Sequence, residues 1–263
     1  AKNHADNDGW DVIDAEIAGK LTSGSSVRIV SHTVMSPSLL ASINEFKGKF
    51  GNTELVQYDP VSSAALLDAN QQTFGTRAVP SYHFDKADVL VAVNCDFLGT
   101  WIIPVHYARQ YATGRKADGK KMSRHEQIES HMSRTGSNAD NRILVKPSEQ
   151  GQAILALYNE IVGGGAAASL PAEAHAKVRA VAAELTRNRT RGLVVSGPNN
   201  LGEQLLVNAI NNAIGAYGHT ITTDRWSMQR KGSDRAIAKF ADDLAAGAVD
   251  AVIVLDGANP AWD

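Results

Sequence analysis

The chain carries one cysteine in 263 residues. A single thiol makes no intrachain disulfide, and it supplies too few thiolates for an iron–sulfur cluster or a Cys-type structural zinc site, which take about four. A basic excess is missing as well: 26 Lys and Arg stand against 28 Asp and Glu, a net charge of −2. That balance excludes the bulk attraction on which non-specific nucleic-acid binding rests. No apolar run approaches the roughly 18 residues that a membrane-spanning helix requires. The first ten residues, AKNHADNDGW, have neither a cationic stretch nor an apolar one behind it, so no signal peptide is expected there. The strand-like run AVDAVIVLDGANP stops at Ala261-Trp262-Asp263, where a parallel strand should turn into its next crossover. The expectation is therefore a fragment of a longer protein.

What is present is an alternation. Apolar runs of strand length, VRIVSH (27–32), ELVQY (54–58), DVLVAVN (88–94), QIES, RILV, GLVVSG (192–197), HTIT and AVDAVIVLDG, are separated by longer segments of helical periodicity. Residues 10–21 place Val12, Ile13, Ile17 and Leu21 as the apolar positions of an amphipathic helix. Ser36-Pro37 opens a helix with an N-cap and a proline in its first turn, and Leu39, Leu40, Ile43, Phe46 and Phe50 share one side of it. Further helices are predicted over 62–75, 102–115, from Pro147 to the triple glycine 163–165, and over about 171–189, 200–216 and 233–246. Strands alternating with helices imply parallel sheets covered on both faces. The fold expected is α/β, two Rossmann-like units with parallel sheets flanked by helices. Gly163-Gly164-Gly165 and the AAASLP that follows make the best linker, so the division expected is 1–165 and 166–263.

In open α/β sheets ligands sit beyond the carboxyl ends of the strands. Those ends read His32-Thr33-Val34-Met35-Ser36, Tyr58-Asp59-Pro60, Asn94-Cys95-Asp96, Ser196-Gly197-Pro198-Asn199-Asn200 and Asp256-Gly257-Ala258-Asn259-Pro260. They suit a nucleotide or pterin-type ligand held by backbone amides and short polar side chains at helix N-termini. They equally suit the plain needs of capping and turning the chain. Gly197 to Gly202 lacks the Gly-Lys-Ser/Thr of a phosphate loop and does not match G-x-G-x-x-G, which points away from nucleoside triphosphatases and nicotinamide dehydrogenases. Cys95 ends a buried strand without a neighbouring base and reads as a small packing residue. His125, Glu126, Glu129 and His131 resemble a metal site only loosely, since position 129 is Glu where a zincin helix has its second His. They read as surface charge, with 116–126 as a solvated loop. His4, His32, His83, His106, His175 and His219 form no pair at helical spacing, and Arg187, Arg189 and Arg191 read as a solvated helix end.

Three stretches, 130–162, 192–221 and 249–263, resemble the molybdopterin oxidoreductase superfamily, in which such segments cradle the guanine dinucleotides of a pterin cofactor. The stretch ADVLVAVNCDFLGTWIIPVHYARQYATGRK (87–116), with Asp59-Pro60-Val61-Ser62 before it, is similar to the large molybdopterin-oxidoreductase-like, iron–sulfur subunit of bacterial alternative complex III. The resemblance implies a piece of a respiratory quinol:electron-acceptor oxidoreductase subunit at the periplasmic face of the inner membrane. Its partners would be other subunits of a membrane complex and an iron–sulfur domain of the same polypeptide, with the clusters outside this piece and with no direct membrane insertion.

The resemblance has departures. Where the family usually has Pro-Gly-Thr-Asp, this chain reads Pro147-Ser148-Glu149-Gln150, which puts an amide in place of the carboxylate that accepts from a guanine edge. The family's molybdenum ligand would fall near Ser62 and Ser63, which also read as the N-cap of the next helix. The expectation is a scaffold that has lost molybdenum, with no cofactor in this piece and no catalytic residue. The alternative is a module of the polysulfide or tetrathionate reductase type that binds molybdopterin guanine dinucleotide. In that case Ser196, Gly197, Asn199, Asn200, Gly257, Asn259, Asn138, Glu149 and Gln150 would contact the cofactor, and Ser62 would be the metal-ligand candidate.

Overall fold

The computed structural model describes residues 9–22, 24–116, 122–255 and 257–258. In chain order its elements are α1 (Trp10–Lys20), β1 (Val27–Ser31), α2 (Pro37–Lys49), β2 (Thr53–Gln57), α3 (Ala64–Phe74), β3 (Val79–Tyr82), β4 (Val89–Val93), α4 (Pro104–Gly114), β5 (Arg124–Glu129), β6 (Asn141–Leu144), α5 (Gln150–Ile161), α6 (Ala172–Arg187), β7 (Gly192–Ser196), α7 (Leu201–Ala213), β8 (Ile221–Ser227), α8 (Asp234–Ala245) and β9 (Ala251–Val254). The chain divides into two compact units, one of Ala1–Ser62 with Lys231–Asp263, the other of Ser63–Arg230.

The first unit is built on a parallel sheet of order β2-β1-β9. The central strand β1 is buried at every position, as a Val/Ile run covered on both faces should be. Ile29, Val34 and Ile43 form one core, with Leu39, Leu40 and Phe46 of α2 against it. Val30, Val56 and Tyr58 meet Phe240 of α8 in another. Ser36 caps α2 as expected, its Oγ accepting from the Leu39 amide at 3.3 Å. Helix α1 forms where the periodicity placed it, yet it has no buried residue, and Val12, Ile13 and Ile17 lie exposed.

The second unit holds a four-stranded parallel sheet of order β6-β5-β4-β7. The first of these strands along the chain, β4, has the second and third on one side and the fourth on the other. That is the pattern of a doubly wound sheet, and it reverses between β4 and β7. A separate antiparallel pair, β3 with β8, shifts register between Val79 and Ser81. Periodicity points to parallel strands only; β3 is four residues long with a proline inside it, and its pattern is too short to register.

The expected boundary near residue 165 does not divide this architecture. Gly163 and Gly164 take positive φ, +85° and +78°, and turn the chain between α5 and α6. The strands on either side of that turn belong to one sheet, since β4 pairs with β7 in the register Val89↔Gly192. A glycine run marks a reversal of direction as readily as a linker.

The outer edge of β7 is closed by side chains. Thr220 Oγ1 donates to the Gly192 carbonyl at 2.7 Å, and Gln204 Nε2 donates to the Ser196 carbonyl at 3.1 Å. Between them the Asn211 amide pairs with both main-chain groups of Val194: Nδ2 donates to its carbonyl at 2.8 Å, and Oδ1 accepts from its N–H at 3.0 Å. All three side chains are buried. They satisfy both main-chain groups of Val194 and the carbonyls of Gly192 and Ser196, which a fifth strand would otherwise take.

Candidate functional site

The switch between β4 and β7 is where a doubly wound sheet opens for a ligand. Here the two strand exits touch. The Gly197 amide donates to the Val93 carbonyl at 3.0 Å, and a Cβ on Gly197 would lie 2.1 Å from the Asn94 carbonyl oxygen. Only glycine fits at that approach, which the packing of the two strand exits requires.

The residues singled out in the sequence are mostly engaged by neighbours. Asn199 Oδ1 accepts from the Ala65 amide at 2.8 Å at the start of α3, and Asn200 Oδ1 accepts from the Glu203 amide as the cap of α7. Asn138 Nδ2 donates to the Arg134 carbonyl, Glu149 accepts from the Lys146 amide, and Gln150 Nε2 donates to Ser130 Oγ at 2.7 Å. Gly257 belongs to the first unit and takes φ +72°, while Asn259 lies outside the described residues. Ser62 Oγ donates to Asp234 at 2.6 Å, and Ser63 occupies the N-cap position of α3 without a side-chain cap bond. Ser196 Oγ is different: it is buried without a hydrogen-bond partner among the described residues. Glu203, in the first turn of α7, has a buried Oε2 in the same condition, and burial raises its pKa. Cys95 is fully buried in the main core, and burial pushes its thiol well up, as a packing residue requires.

A cavity of the second unit lies beside α4 and the β3–β8 pair. It has a volume of about 380 Å³, and Tyr82, His83, His106, Tyr107, Asp224 and Arg225 are among its walls. Tyr82 is 6% exposed and Tyr107 2%, and neither hydroxyl has a hydrogen-bond partner among the described residues. Neither hydroxyl is among the side-chain atoms wholly buried without a partner, so both reach the cavity's solvent, where an oxygen or nitrogen acceptor from outside the chain can take the place of water. Burial raises both phenol pKa values, and both stay donors at physiological pH. Trp101 supports the pair, its ring 5.3 Å from Tyr82 and 5.5 Å from Tyr107. His83 Nε2 lies 3.0 Å from Thr222 Oγ1, and burial, then Lys86, lowers its pKa toward the neutral imidazole. Ile102, just before α4, has φ +51°, a strained backbone for a β-branched residue, of the kind that clusters at ligand sites. The sequence offers no helical pairing of His83 with His106; the β3–β8 pair brings them to one cavity.

Of the cluster His125, Glu126, Glu129 and His131, the first three are core residues, which corrects the surface-loop reading for them, while His131 lies exposed after β5 as that reading has it. His125, Glu126 and Glu129 are all buried strand residues. One face of the strand carries a polar row: Tyr111 hydroxyl to His125 Nδ1 at 3.1 Å, His125 Nε2 to Gln127 Oε1 at 3.2 Å, and Gln127 Nε2 to Glu129 at 3.2 Å. A strand of this composition stays inside because each polar group meets another. Among the described residues no cluster of three or more His, Cys, Asp or Glu is placed to hold a metal. Burial pushes His125 down to about 4, with Gln127 and Asp140 opposing that shift and Arg115 adding to it. The unfolded state therefore binds the extra proton between pH 6.5 and 4, and stability held above that window falls as pH drops through it. We expect a loss of roughly 3 kcal/mol by pH 4 from this residue. Urea titrations of the wild type and His125→Gln across pH 7 to 4 check it, the variant losing most of that slope.

The class of fold is an α/β chain with Rossmann-like parallel sheets flanked by helices. No protein-family model matches the sequence, and a search of the curated proteins gives no match. Among solved structures, a chain of the formyltransferase/hydrolase complex FhcABCD from Methylorubrum extorquens, determined with methylofuran, superposes with a TM-score of 0.64. The likeness covers 98% of this chain and 77% of that one at 16% identity. At such identity it concerns the fold.

These findings overturn the expected membership of the molybdopterin oxidoreductase superfamily. The fold neighbour is a formyltransferase/hydrolase complex, and the alternative complex III, respiratory and reductase readings fall with that membership. The segments that carried the resemblance contain strand exits and helix starts of α/β units, where Gly, Asn and Ser recur for turning and capping alone. The periplasmic location and the iron–sulfur neighbour rested on the same resemblance and lose that support.

Proposed function

We propose that the chain is a subunit of a multi-subunit enzyme that transfers or hydrolyses formyl groups, and that it holds a small oxygen-bearing ligand between Tyr82 and Tyr107. The observation that carries the reading is the extent of the fold likeness, 98% of this chain against a chain of the formyltransferase/hydrolase complex. The two phenols support the ligand, since each offers the cavity a donor that no described residue uses.

Isolation of the tagged chain from its own host, followed by native mass spectrometry and a formyl transfer and hydrolysis assay, tests this reading. The expected outcome is a stoichiometric assembly with activity; a chain that runs alone, with no activity in its fractions, contradicts it. Within that assembly Tyr82→Phe/Tyr107→Phe is expected to raise the KM of the ligand about tenfold or more, for two lost hydrogen bonds of about 1 kcal/mol each. Its melting temperature should stay at the wild-type value, because neither hydroxyl bonds another of the described residues.

A further inference from the structure

The cavity beside α4 is also lined by two imidazoles, His83 and His106, and their hydrogen bonds set them in opposite tautomers. Gln110 Oε1 accepts from the Phe84 main-chain N–H at 3.1 Å, which turns the Gln110 amide nitrogen toward His106 Nε2 at 3.0 Å. An amide nitrogen only donates, so His106 Nε2 accepts and the ring carries its proton on Nδ1. No described residue takes that N–H. The ring stands beside Tyr107, with centroids 5.9 Å apart.

His83 is set the other way. Its Nε2 lies 3.0 Å from Thr222 Oγ1. Thr222 and Asp224 are two residues apart on β8 and share one face of it, and the Thr222 hydroxyl is the leading cause of the lowered Asp224 pKa. A hydroxyl has one hydrogen; given to that carboxylate, it leaves the Thr222 oxygen to accept from His83 Nε2–H. The lone pair of the ring is then on Nδ1, which no described residue uses. Asp224, Thr222 and His83 form a relay of carboxylate, hydroxyl and imidazole, the arrangement in which a base is oriented by further groups behind it. Burial, then Lys86 and His106, lower the His83 pKa against Asp85 and Asp224, so the ring is neutral and basic at pH 7.

We infer that this cavity is a catalytic site in which His83 Nδ1 is the general base and the neutral His106 N–H donates to the bound ligand. The inference rests on the proposed formyl chemistry and names the group that moves its proton. In hydrolysis, a water proton passes to His83 Nδ1 while the water oxygen bonds the formyl carbon and the carbonyl electron pair moves onto its oxygen. The bond from that carbon to the leaving atom then breaks, the proton passes from His83 to the leaving atom, and formic acid departs.

Kinetics of the native assembly and nitrogen NMR of the labelled full chain test it together. His83→Gln should lower kcat about a hundredfold or more at a KM within about twofold of the wild type, and should abolish the fall in kcat/KM expected below about pH 6.5. Asp224→Asn should lower kcat less and move that fall to lower pH, since the carboxylate holds the His83 pKa up. At about pH 7.5 the spectra should show His83 protonated on Nε2 and His106 on Nδ1. An active assembly in which His83→Gln keeps both kcat and the acid limb overturns the inference and leaves the proposed function standing. An assembly without formyl activity fails that function, and the tautomers then decide the pair: His83 protonated on Nδ1, or His106 on Nε2, overturns it.

Discussion

Asn211→Leu is expected to destabilise the chain by about 4 kcal/mol, because it leaves two buried main-chain groups of Val194 unpaired at about 1–3 kcal/mol each. Leucine fills much of the same volume, so the loss does not come from a cavity. It comes from the edge of β7, where the Asn211 amide stands in for a neighbouring strand. Thr220 and Gln204 still hold Gly192 and Ser196, and neither reaches Val194. Urea unfolding measures the difference, and hydrogen exchange at the Val194 amide localises it. A variant within 1 kcal/mol of the wild type would show that the edge is satisfied in another way.

Arg142→Met should cost a similar amount, about 3–5 kcal/mol, since it strips the counter-charge from a buried carboxylate. Glu129 is held by Arg142 at 2.7 Å and by Ser133 Oγ at 2.6 Å, and Gly136 lies so near that a Cβ there would meet Oε1 at 1.9 Å. The carboxylate has no room to turn toward solvent. Glu129→Gln in the same background should recover most of the loss, because a neutral amide keeps Ser133 and Gln127 as partners and needs no cation. A double-mutant cycle by urea unfolding separates charge from packing. If the two substitutions add without recovery, the Arg142 effect is one of packing.

The helices and most strands were legible in the sequence because their signals are local. Ser36-Pro37 caps α2, Gly75 ends α3 in the left-handed conformation, and VLVAV reads as a doubly buried strand. The nesting of the two units was not legible, since it depends on β1 pairing with β9 more than two hundred residues away. Charge misled at β5: RHEQIE has the composition of a surface, and only the partners Tyr111, Gln127, Arg142 and Ser133 make it an interior strand. The polar loop after β7 drew attention as a ligand site, yet Asn199 and Asn200 serve helix starts. Tyr82 and Tyr107 carry no motif. Tyr82 sits on the short strand β3, and Tyr107 lies on the buried side of α4, where an aromatic residue reads as core. What distinguishes them is that their hydroxyls share one cavity and bond no other described residue, a property of the fold.

The most direct test of the proposed ligand site is an experimental structure of the chain purified from its host in its native assembly. The account predicts density for a small molecule in the cavity beside α4, with oxygen or nitrogen atoms about 3 Å from the hydroxyls of Tyr82 and Tyr107. A cavity that holds water alone, or one closed by a side chain of a partner subunit, would contradict it.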